Sequence, residues 1–449
     1  MSIADKNRFE RLALDFLNEM VEETSIAGLS VAITKDSRLI FSGASGQACV
    51  EDDRPVTSKT IFPIASITKT LTAAAILRVS EAHKSLTINS RLGDFFDGFP
   101  ESAARITVEQ MLRHTCGLAD FVAVGADYHA LERRGASQEE IIALFRNRPL
   151  HFPPGRDFSY CNSGYFLLGN ILEIVTGLDY LEVLRRYVML GGLEEQIGIF
   201  DLTEYNGARG YVARIGDDGG LSYVRSSVVK DSVAFSAGAL CSPAPALARW
   251  ADALFSGEFL TRRSLAFMTS PGTLSNGAVV PYGAGLFLGR IDGRAVFHHA
   301  GNTRGFASQL THIPEEGLTV VVLTNTQGVF PHRVTNNLLR LYREEAGLPP
   351  HKNLPGWRAA DLSPLVGIYL LSGITEQFRT RVELQLRDNT LVLVEPETQW
   401  ELIHRGSYEF EAAADRDVSL HFVNDEENPF SSFVLTRQGA SLGARRVPW

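Results

Sequence analysis

The order of strand-like and helix-like segments constrains this chain more than any other feature of its sequence. Six runs rich in β-branched and other apolar residues predict strands, two early and four late: Leu29–Thr34, Leu39–Ser42, Gly285–Gly289, Ala295–His299, Phe306–His312 and Leu318–Thr324. Apolar residues at helical spacing predict helices over 7–21, 66–77 and 333–345, and mostly helical structure over 105–190. This order predicts an α/β layered domain whose N- and C-terminal segments share one sheet.

A proline-rich segment separates this part from a different pattern near the C-terminus. Three prolines fall within residues 348–355, which predicts a linker. Seven short alternating runs beyond it predict strands: Leu365–Leu371, Arg381–Leu386, Thr390–Val394, Trp400–His404, Tyr408–Glu411, Val418–Val423 and Ser432–Thr436. Such short strands indicate a small all-β barrel or sandwich. We therefore predict a first domain over 1–347, a linker over 348–356 and an all-β domain over 357–449.

Charge and composition argue against several classes of function. The net charge is −9, and the longest basic clusters are pairs of arginines, so nucleic acid is not a predicted partner. The four cysteines lie far apart with no C-x-x-C pair, which predicts neither a disulfide framework nor a metal site. The sequence has no apolar run of about 18 residues and no apolar leader, so we expect no membrane partner and a cytoplasmic location.

The segment Ser66-Ile-Thr-Lys69 places a serine and a lysine three residues apart at the start of an alanine-rich helix. Residues i and i+3 lie on one helix face, so the hydroxyl and the amine can meet. A serine hydroxyl is a poor nucleophile until a base removes its proton. A desolvated lysine can be that base. The motif is weak by itself, because Ser227-Val-Val-Lys230 repeats it in a run without a helical pattern.

A turn after Pro153-Pro-Gly155 holds Tyr160 and Asn162 two residues apart. In a cleft, the phenol could relay protons and the amide could bind a substrate amide. The alternative makes Tyr160 a half-buried loop aromatic and Asn162 a helix N-cap, and this segment alone favours the alternative.

The segment His299-Ala-Gly301-Asn302-Thr-Arg304 follows the predicted strand that ends at His299. The H-x-G pattern says little alone, because it recurs at His404-Arg-Gly406. Arg304 could pair with a substrate carboxylate. It could equally be a structural arginine that bridges the strand edge, and both interpretations stay open.

In this order, S-x-x-K at a helix start, Y-x-N in a turn and H-x-G on a strand resemble the serine β-lactamase and penicillin-binding-protein family. The similar branch is the class C-like group, with its DD-peptidases, D-aminopeptidases and esterases. Segments such as Leu112–Leu118 and Ser236–Leu240 extend the resemblance over residues 8–346. It implies an antiparallel sheet flanked by helices, with a helical subdomain. The C-terminal part resembles the lipocalin-like barrels attached to some D-aminopeptidases of this family.

The resemblance also implies roles for the catalytic residues. Ser66 would be the acyl-accepting nucleophile, and Lys69 would help to deprotonate it. Tyr160 would share the role of base and protonate the leaving group. His299 stands where many relatives have the lysine of K-T-G, a variant common among DD-peptidases and D-aminopeptidases. This chemistry needs no metal and no organic cofactor.

Further residues would bind the substrate by the same similarity. Asn162 would hold the substrate amide, and Gly301 lies on the strand that would border the substrate. The backbone N–H groups of Ser66 and Asn302 would form the oxyanion hole. His114, in a family-like H-T-x-G segment, is expected to be structural.

The resemblance implies an acyl-serine hydrolase that cleaves small amides or peptides containing D-amino acids, with esterase side activity. The alternatives are a DD-carboxypeptidase or β-lactamase acting on cell-wall fragments or penicillins, and a dedicated esterase. A binding or sensing protein that retains the fold without turnover is an alternative of another class. A small molecule or short peptide is the predicted partner, and a homo-oligomer is possible because a lone barrel could form a subunit contact.

Overall fold

The computed structural model of the protein describes most of the first 348 residues and several strands beyond them. The described residues are 3–189, 191–202, 206–215, 220–291, 294–348, 367–371, 381–387, 390–395, 398–406, 409–412, 418–422, 432–437 and 440–447. The predicted linker lies outside these ranges, apart from Leu348. In the described ranges, no helix has the length and apolar character needed to cross a membrane. The cytoplasmic location stays a prediction.

A seven-stranded antiparallel sheet joins the two ends of the first part of the chain. Its strands are β1 (Gly28–Lys35), β2 (Arg38–Cys49), β3 (Arg54–Pro55), β10 (Phe287–Ile291), β11 (Arg294–Thr303), β12 (Phe306–Ile313) and β13 (Leu318–Thr324). Their order is β10-β11-β12-β13-β1-β2-β3. Because β1 pairs with β13, with Val31 opposite Val322, the predicted sharing of one sheet is confirmed.

Helices cover both faces of this sheet. The twelve described helices are α1 (Ile3–Glu23), α2 (Thr68–Ala82), α3 (Glu101–Ala104), α4 (Val108–Leu112), α5 (Ala126–Arg134), α6 (Gln138–Ala143), α7 (Asn162–Thr176), α8 (Tyr180–Val188), α9 (Asp231–Gly238), α10 (Ala244–Phe255), α11 (Arg262–Met268) and α12 (Pro331–Glu345). Neighbouring side chains of a strand point to opposite faces. Val320 and Val322 accordingly pack in one core with α1 and α12, whereas Val321 packs in the other with α2 and α10.

α2 is the central helix of a helical subdomain. Eleven of its fifteen residues are buried, including Lys69, and α7, α8 and α9 pack around it. Burial of this extent, which includes the polar residues Thr68, Lys69, Thr70 and Thr72, places α2 inside the protein rather than at its surface. The helices predicted over 7–21, 66–77 and 333–345 correspond to α1, a short 3₁₀ helix followed by α2, and α12.

Short strands complete the first part, and none of them was predicted from the sequence. These strands are β4 (Phe62–Pro63), β5 (Tyr211–Ile215), β6 (Leu221–Arg225), β7 (Cys241–Ser242), β8 (Gly272–Thr273), β9 (Val279–Val280) and β14 (Thr326–Gln327). The missed hairpin, β5–β6, has an exposed outer strand with little alternation of apolar residues.

The C-terminal region contains eight described strands, one more than the sequence predicted. They are β15 (Gly367–Leu371), β16 (Arg381–Arg387), β17 (Thr390–Val394), β18 (Gln399–Gly406), β19 (Glu409–Ala412), β20 (Ser419–Phe422), β21 (Ser432–Arg437) and β22 (Ala440–Val447). Each is antiparallel to the next, and β15 also pairs with β22. β22 escaped prediction because its sequence, ASLGARRV, has no aromatic residue and only one β-branched residue, the types that favour strands.

A glycine allows the sheet to lie against the segment that leads into α2. A Cβ on Gly301 would lie 2.2 Å from Ile64 O and 2.2 Å from Ser308 Oγ, closer than real Cβ contacts. Ser308 Oγ donates to Ile64 O at 3.0 Å, and Ile64 N donates to Leu240 O at 2.9 Å. The position of Ile64, two residues before Ser66, therefore depends on the absence of a side chain at residue 301.

We expect Gly301→Ala to lower the free energy of unfolding by about 1–3 kcal/mol, because the new methyl group forces β11 away from Ile64. Gly198→Ala is the matched control, since its Cβ would meet nothing closer than the Phe200 ring at 3.4 Å. The control should stay within about 1 kcal/mol of wild type. Denaturant unfolding measures both variants, and equal losses would contradict the close approach as the cause.

Candidate active site

Ser66 and Lys69 meet at the start of the central helix. Ser66 lies in the 3₁₀ helix Ala65–Ile67, which continues directly into α2. Lys69 Nζ donates to Ser66 Oγ at 3.0 Å and to Ala237 O at 2.7 Å. Ser66 stays partly exposed, whereas Lys69 is fully buried. The second S-x-x-K, Ser227–Lys230, lies in an irregular segment before α9.

Burial sets the protonation state of Lys69. Loss of hydration lowers the pKa of its amine to about 7, although the nearby Asp120 carboxylate opposes this change. Nζ lies 4.9 Å from the ring centroid of Tyr160 and 5.8 Å from that of Tyr165. These aromatic faces offset only part of the lost hydration of an ammonium. At neutral pH a substantial fraction of Lys69 is therefore a neutral amine that can accept the Ser66 proton.

Asp120 belongs to this site, and the sequence analysis did not identify it. It is 8% exposed and precedes the 3₁₀ helix Phe121–Val124. Its Oδ2 accepts from Asn162 N at 3.1 Å and from Asn162 Nδ2 at 2.9 Å, and its Oδ1 accepts from Val122 N at 3.0 Å. Burial raises the pKa of Asp120, while these hydrogen bonds and Lys69 lower it. An aspartate followed by an apolar run, just after the family-like segment that ends at Leu118, was the available signal.

Asn162 is held by that carboxylate at the start of α7. It is the first residue of the helix rather than its N-cap, a position that Cys161 occupies. The side-chain NH₂ group is directed to Asp120. The side-chain Oδ1 is the atom of Asn162 suited to accept an N–H from a substrate amide.

Tyr160 lies in the turn before α7, with its ring enclosed by other rings. Its centroid lies 4.2 Å from that of His114, 6.1 Å from His299 and 6.3 Å from the parallel ring of Phe287. Burial raises the pKa of Tyr160 well above its usual value, and the Ser66 hydroxyl only partly opposes this. Tyr160 is therefore a neutral phenol at physiological pH, suited to donating a proton.

His299 reaches the site with both ring nitrogens already bonded. Nδ1 lies 2.7 Å from Ala300 O, and Nε2 lies 3.1 Å from Tyr282 Oη. A carbonyl only accepts, so Nδ1 carries the proton and Nε2 accepts from Tyr282. Burial and the nearby Lys69 lower the pKa of His299 to about 3, which keeps the ring neutral.

Tyr282 is a second site residue that the sequence analysis did not identify. It lies in the turn between β9 and β10. Gly285 in this turn has φ +74°, and a Cβ there would lie 2.7 Å from Lys69 O. The turn also accepts a hydrogen bond, from Thr70 Oγ1 to Gly285 O at 2.7 Å. The glycine thus lets Tyr282 pack beside the central helix.

The backbone N–H groups of Ser66 and Asn302 lie outside the hydrogen-bond pattern of their own elements. Thr303 pairs with Phe306 across a two-residue turn, and Asn302 pairs with Ala307. Because hydrogen-bonded and non-bonded pairs alternate, the Asn302 N–H points away from β12, to the open side of β11. The Ser66 N–H lies in the first turn of its helix, where N–H groups have no partner within the helix.

Arg304 is bound to a carboxylate of the protein itself. Its Nε donates to Glu132 Oε1 at 2.8 Å and its Nη2 to Glu132 Oε2 at 2.6 Å. Glu132 is 4% exposed and lies on α5, so the pair joins the β11–β12 turn to the helical subdomain. Of the two interpretations of Arg304, this geometry agrees with a structural bridge, although the bridge leads to a helix rather than along the strand edge.

Three non-glycine residues with positive φ surround the site. They are Ala65 (φ 47°), His114 (φ 57°) and Phe235 (φ 39°). Ala65 precedes Ser66, and Phe235 lies two residues before the carbonyl of Ala237 that accepts from Lys69. Such conformations cost about 1–3 kcal/mol each and persist where the surroundings enforce them.

Comparison with known families now identifies the class of protein. The model of the family described as Beta-lactamase matches residues 14–344, about three quarters of the chain. The matched range includes Ser66, Lys69, Tyr160 and His299. The chain belongs to the beta-lactamase family and is a serine hydrolase. The predicted family and the prediction of an enzyme are confirmed.

Three known proteins show how far the similarity extends. The D-aminopeptidase of Brucella ovis is 23% identical over 368 residues, which cover 79% of this chain and 67% of that protein. The D-amino acid amidase of Ochrobactrum anthropi SV3, complexed with D-phenylalanine, has a TM-score of 0.65 at 22% identity and covers 75% of this chain and 99% of its own. The octameric penicillin-binding protein homologue of Pyrococcus abyssi has a TM-score of 0.64 at 22% identity, covering 97% and 99%. The two solved structures share the fold of this chain.

We expect the rate of acylation to rise with pH through about 7 and then level off, because neutral Lys69 accepts the Ser66 proton. Asp120→Asn removes a negative charge that favours the ammonium, so the midpoint should move to lower pH. The initial burst of p-nitrophenol from an ester substrate measures this rate. Asp97→Asn, at an exposed aspartate, should leave the midpoint unchanged. A midpoint at higher pH in Asp120→Asn would contradict the assignment.

Proposed function

We propose that the protein cleaves amides and short peptides of D-amino acids at their amino end, through an acyl-enzyme on Ser66, with esterase side activity. The observation that carries this proposal is the 3.0 Å contact between Lys69 Nζ and Ser66 Oγ. It involves a lysine whose burial lowers the pKa of its amine to about 7. The D-aminopeptidase and the D-amino acid amidase support the substrate class.

Acylation begins when neutral Lys69 accepts the proton of Ser66 Oγ and the oxygen attacks the substrate carbonyl. The N–H groups of Ser66 and Asn302 stabilise the resulting oxyanion, each contributing about two to three orders of magnitude in rate. Tyr160 donates its phenolic proton to the leaving amine and regains one from the Lys69 ammonium. The C–N bond breaks, the amine departs, and an ester bond joins the acyl group to Ser66.

Deacylation repeats these steps with water. A water molecule attacks the ester carbonyl while its proton passes to neutral Lys69. Collapse of the second tetrahedral intermediate breaks the bond to Ser66 Oγ, which recovers a proton from the Lys69 ammonium. The carboxylic acid leaves, and the same route serves amide and ester substrates because both pass through one acyl-enzyme.

Two contacts of the protein support cleavage at the amino end. A carboxypeptidase needs a cationic group for the substrate carboxylate, but Arg304 binds Glu132 through two hydrogen bonds. An aminopeptidase needs no such group. Asn162, oriented by Asp120, can accept from a substrate N–H through Oδ1. Neither of these two contacts favours the carboxypeptidase, β-lactamase or esterase alternatives, which would share the Ser66–Lys69 contact.

We also propose the domain organisation, with a hydrolase domain over 1–347, a linker over 348–356 and a lipocalin-like barrel over 357–449. The family match ends at residue 344, close to the first boundary. The sequential pairing of β15 to β22 supports a barrel. We propose a homo-oligomer, because the octameric homologue matches 97% of the chain, including the C-terminal strands.

The substrate class is tested with D- and L-aminoacyl p-nitroanilides, a p-nitrophenyl ester and a chromogenic cephalosporin, on wild type and Ser66→Ala. We expect wild type to cleave the D-anilides in preference to the L-anilides. Ser66→Ala should lose this activity by several orders of magnitude, because no other nucleophile replaces the hydroxyl.

The other outcomes separate the alternatives. Turnover of the ester alone would leave an esterase, and rapid turnover of the cephalosporin would favour a β-lactamase. A long-lived acyl adduct on Ser66 without turnover would favour a sensing protein. Activity retained in Ser66→Ala would refute the site itself.

Arg304→Gln tests the end from which a peptide is read. We expect the KM for a D-aminoacyl p-nitroanilide to stay within about threefold of wild type, because the guanidinium binds Glu132 rather than substrate. Stability should fall by about 1–2 kcal/mol, since buried Glu132 loses its main partner. Lys59→Gln, at an exposed lysine, is the control. A specific loss of activity on peptides with a free carboxylate would assign Arg304 to substrate binding.

A further inference from the structure

His114 binds the backbone on both sides of Tyr160. Its carbonyl oxygen accepts from Ser159 N at 3.0 Å, and its ring nitrogen Nδ1 accepts from Cys161 N at 3.0 Å. One buried histidine therefore holds the residues immediately before and after the phenol-bearing residue. The expectation that His114 is structural understates this arrangement, because both bonds end on the turn that presents Tyr160.

The backbone of His114 is strained in a way that permits both bonds. Its φ is +57°, in the left-handed region that only a small share of non-glycine residues adopt. The residue is fully buried. A strained conformation at a buried, bonded position requires that its surroundings enforce it. Here the carbonyl and the imidazole of His114 both accept hydrogen bonds from the Ser159–Cys161 segment.

The His114 ring also packs directly on the Tyr160 ring. Their centroids lie 4.2 Å apart, and the ring centroids of Tyr282 and Tyr165 lie 4.6 and 5.0 Å from that of His114. The ring thus limits tilting of the phenol, while the two hydrogen bonds limit movement of its backbone. Together these contacts fix the direction in which the Tyr160 Oη points.

Only the neutral ring with its proton on Nε2 can make this arrangement. Nδ1 must carry a lone pair to accept from Cys161 N. Burial, Lys69 and His299 all lower the pKa of His114 well below its usual value, so the ring is neutral at physiological pH. The acceptor at Nδ1 is therefore maintained throughout the range in which the enzyme would work.

We propose that His114 is a positioning residue for Tyr160, holding the phenol at the distance and angle needed to protonate the leaving group of the substrate. This inference rests on the proposed function of Tyr160. His114 itself does not touch the reacting atoms. Its contribution lies in orientation, which for a catalytic group is worth a large part of the rate.

The test compares two substitutions of similar shape. His114→Asn retains an acceptor, since Oδ1 can take the place of Nδ1, and asparagine tolerates the left-handed backbone. His114→Leu matches it in size but has no acceptor. We expect His114→Leu to lower kcat on a D-aminoacyl p-nitroanilide by about 10–100-fold with KM within about threefold, and His114→Asn to retain kcat within about fivefold. His312→Leu removes another buried histidine, which bonds Thr319 away from Ser66, and should leave kcat unchanged.

A double variant, His114→Leu with Tyr160→Phe, distinguishes a positioning role of His114 from a general structural role. If His114 acts through the phenol, His114→Leu should have no further effect on kcat once the phenol is gone. The double variant should then match Tyr160→Phe within about twofold. Multiplied losses, or an equal loss in His114→Asn and His114→Leu, would overturn the proposal.

The ester substrate keeps this outcome distinct from failure of the proposed function. An alkoxide or phenolate leaving group needs less protonation than an amine, so His114→Leu should affect the p-nitrophenyl ester less than the anilide. Full anilide activity in Tyr160→Phe would refute the role of Tyr160, and activity in Ser66→Ala would refute the function. Should His114→Leu not fold, His114→Asn with and without Tyr160→Phe supplies the comparison, and a loss that persists without the phenol would contradict positioning.

Discussion

Burial of the Lys69 amine is the interaction on which the rest of the site depends. An ammonium in this position loses its hydration and gains a hydroxyl, one backbone carbonyl and two aromatic faces. These partners can contact a neutral amine without loss. They compensate only part of the hydration free energy that a charged ammonium would lose here. Asp120 moderates the cost without an ion pair, because its oxygens accept from Asn162 and Val122. The result is a base at neutral pH, produced by packing.

Several segments must pack closely around the amine to bury it. Their close packing is accompanied by unusual backbone φ angles. Ala65, His114 and Phe235 come from three different segments, and each has a positive φ without being glycine. Gly285 and Gly301 let two further segments approach the 3₁₀ helix and α2 closely. Burial of eleven of the fifteen residues of α2 contributes favourable free energy that offsets the cost of these strained backbone conformations. Stability and catalytic geometry therefore share one core.

The sequence predicted which motif residues form this site better than it predicted their contacts with other parts of the chain. Helical spacing alone indicated that Ser66 and Lys69 could meet, and strand order indicated that β1 and β13 share a sheet. Asp120 and Tyr282 escaped because an aspartate before an apolar run and a tyrosine in a turn are common, and only tertiary contacts give them a role. The partner of Arg304 lies 172 residues away on α5, a distance over which local patterns carry no information. β22 escaped because Val447 is its only β-branched residue and it contains no aromatic residue.

The two histidines nearest the buried amine are both neutral, and this simplifies the chemistry. Positive charges on Lys69, His114 and His299 would repel one another inside one desolvated cluster, and Lys69 lowers the pKa of both rings. The burial of Tyr160 raises the pKa of its phenol, so this group too keeps its proton at neutral pH. Each ring nitrogen can then serve as a fixed donor or acceptor: Nδ1 of His114 toward Cys161, and Nε2 of His299 toward Tyr282. Near neutral pH the cluster thus exchanges a single proton, on Lys69, and the surrounding rings act through position rather than charge.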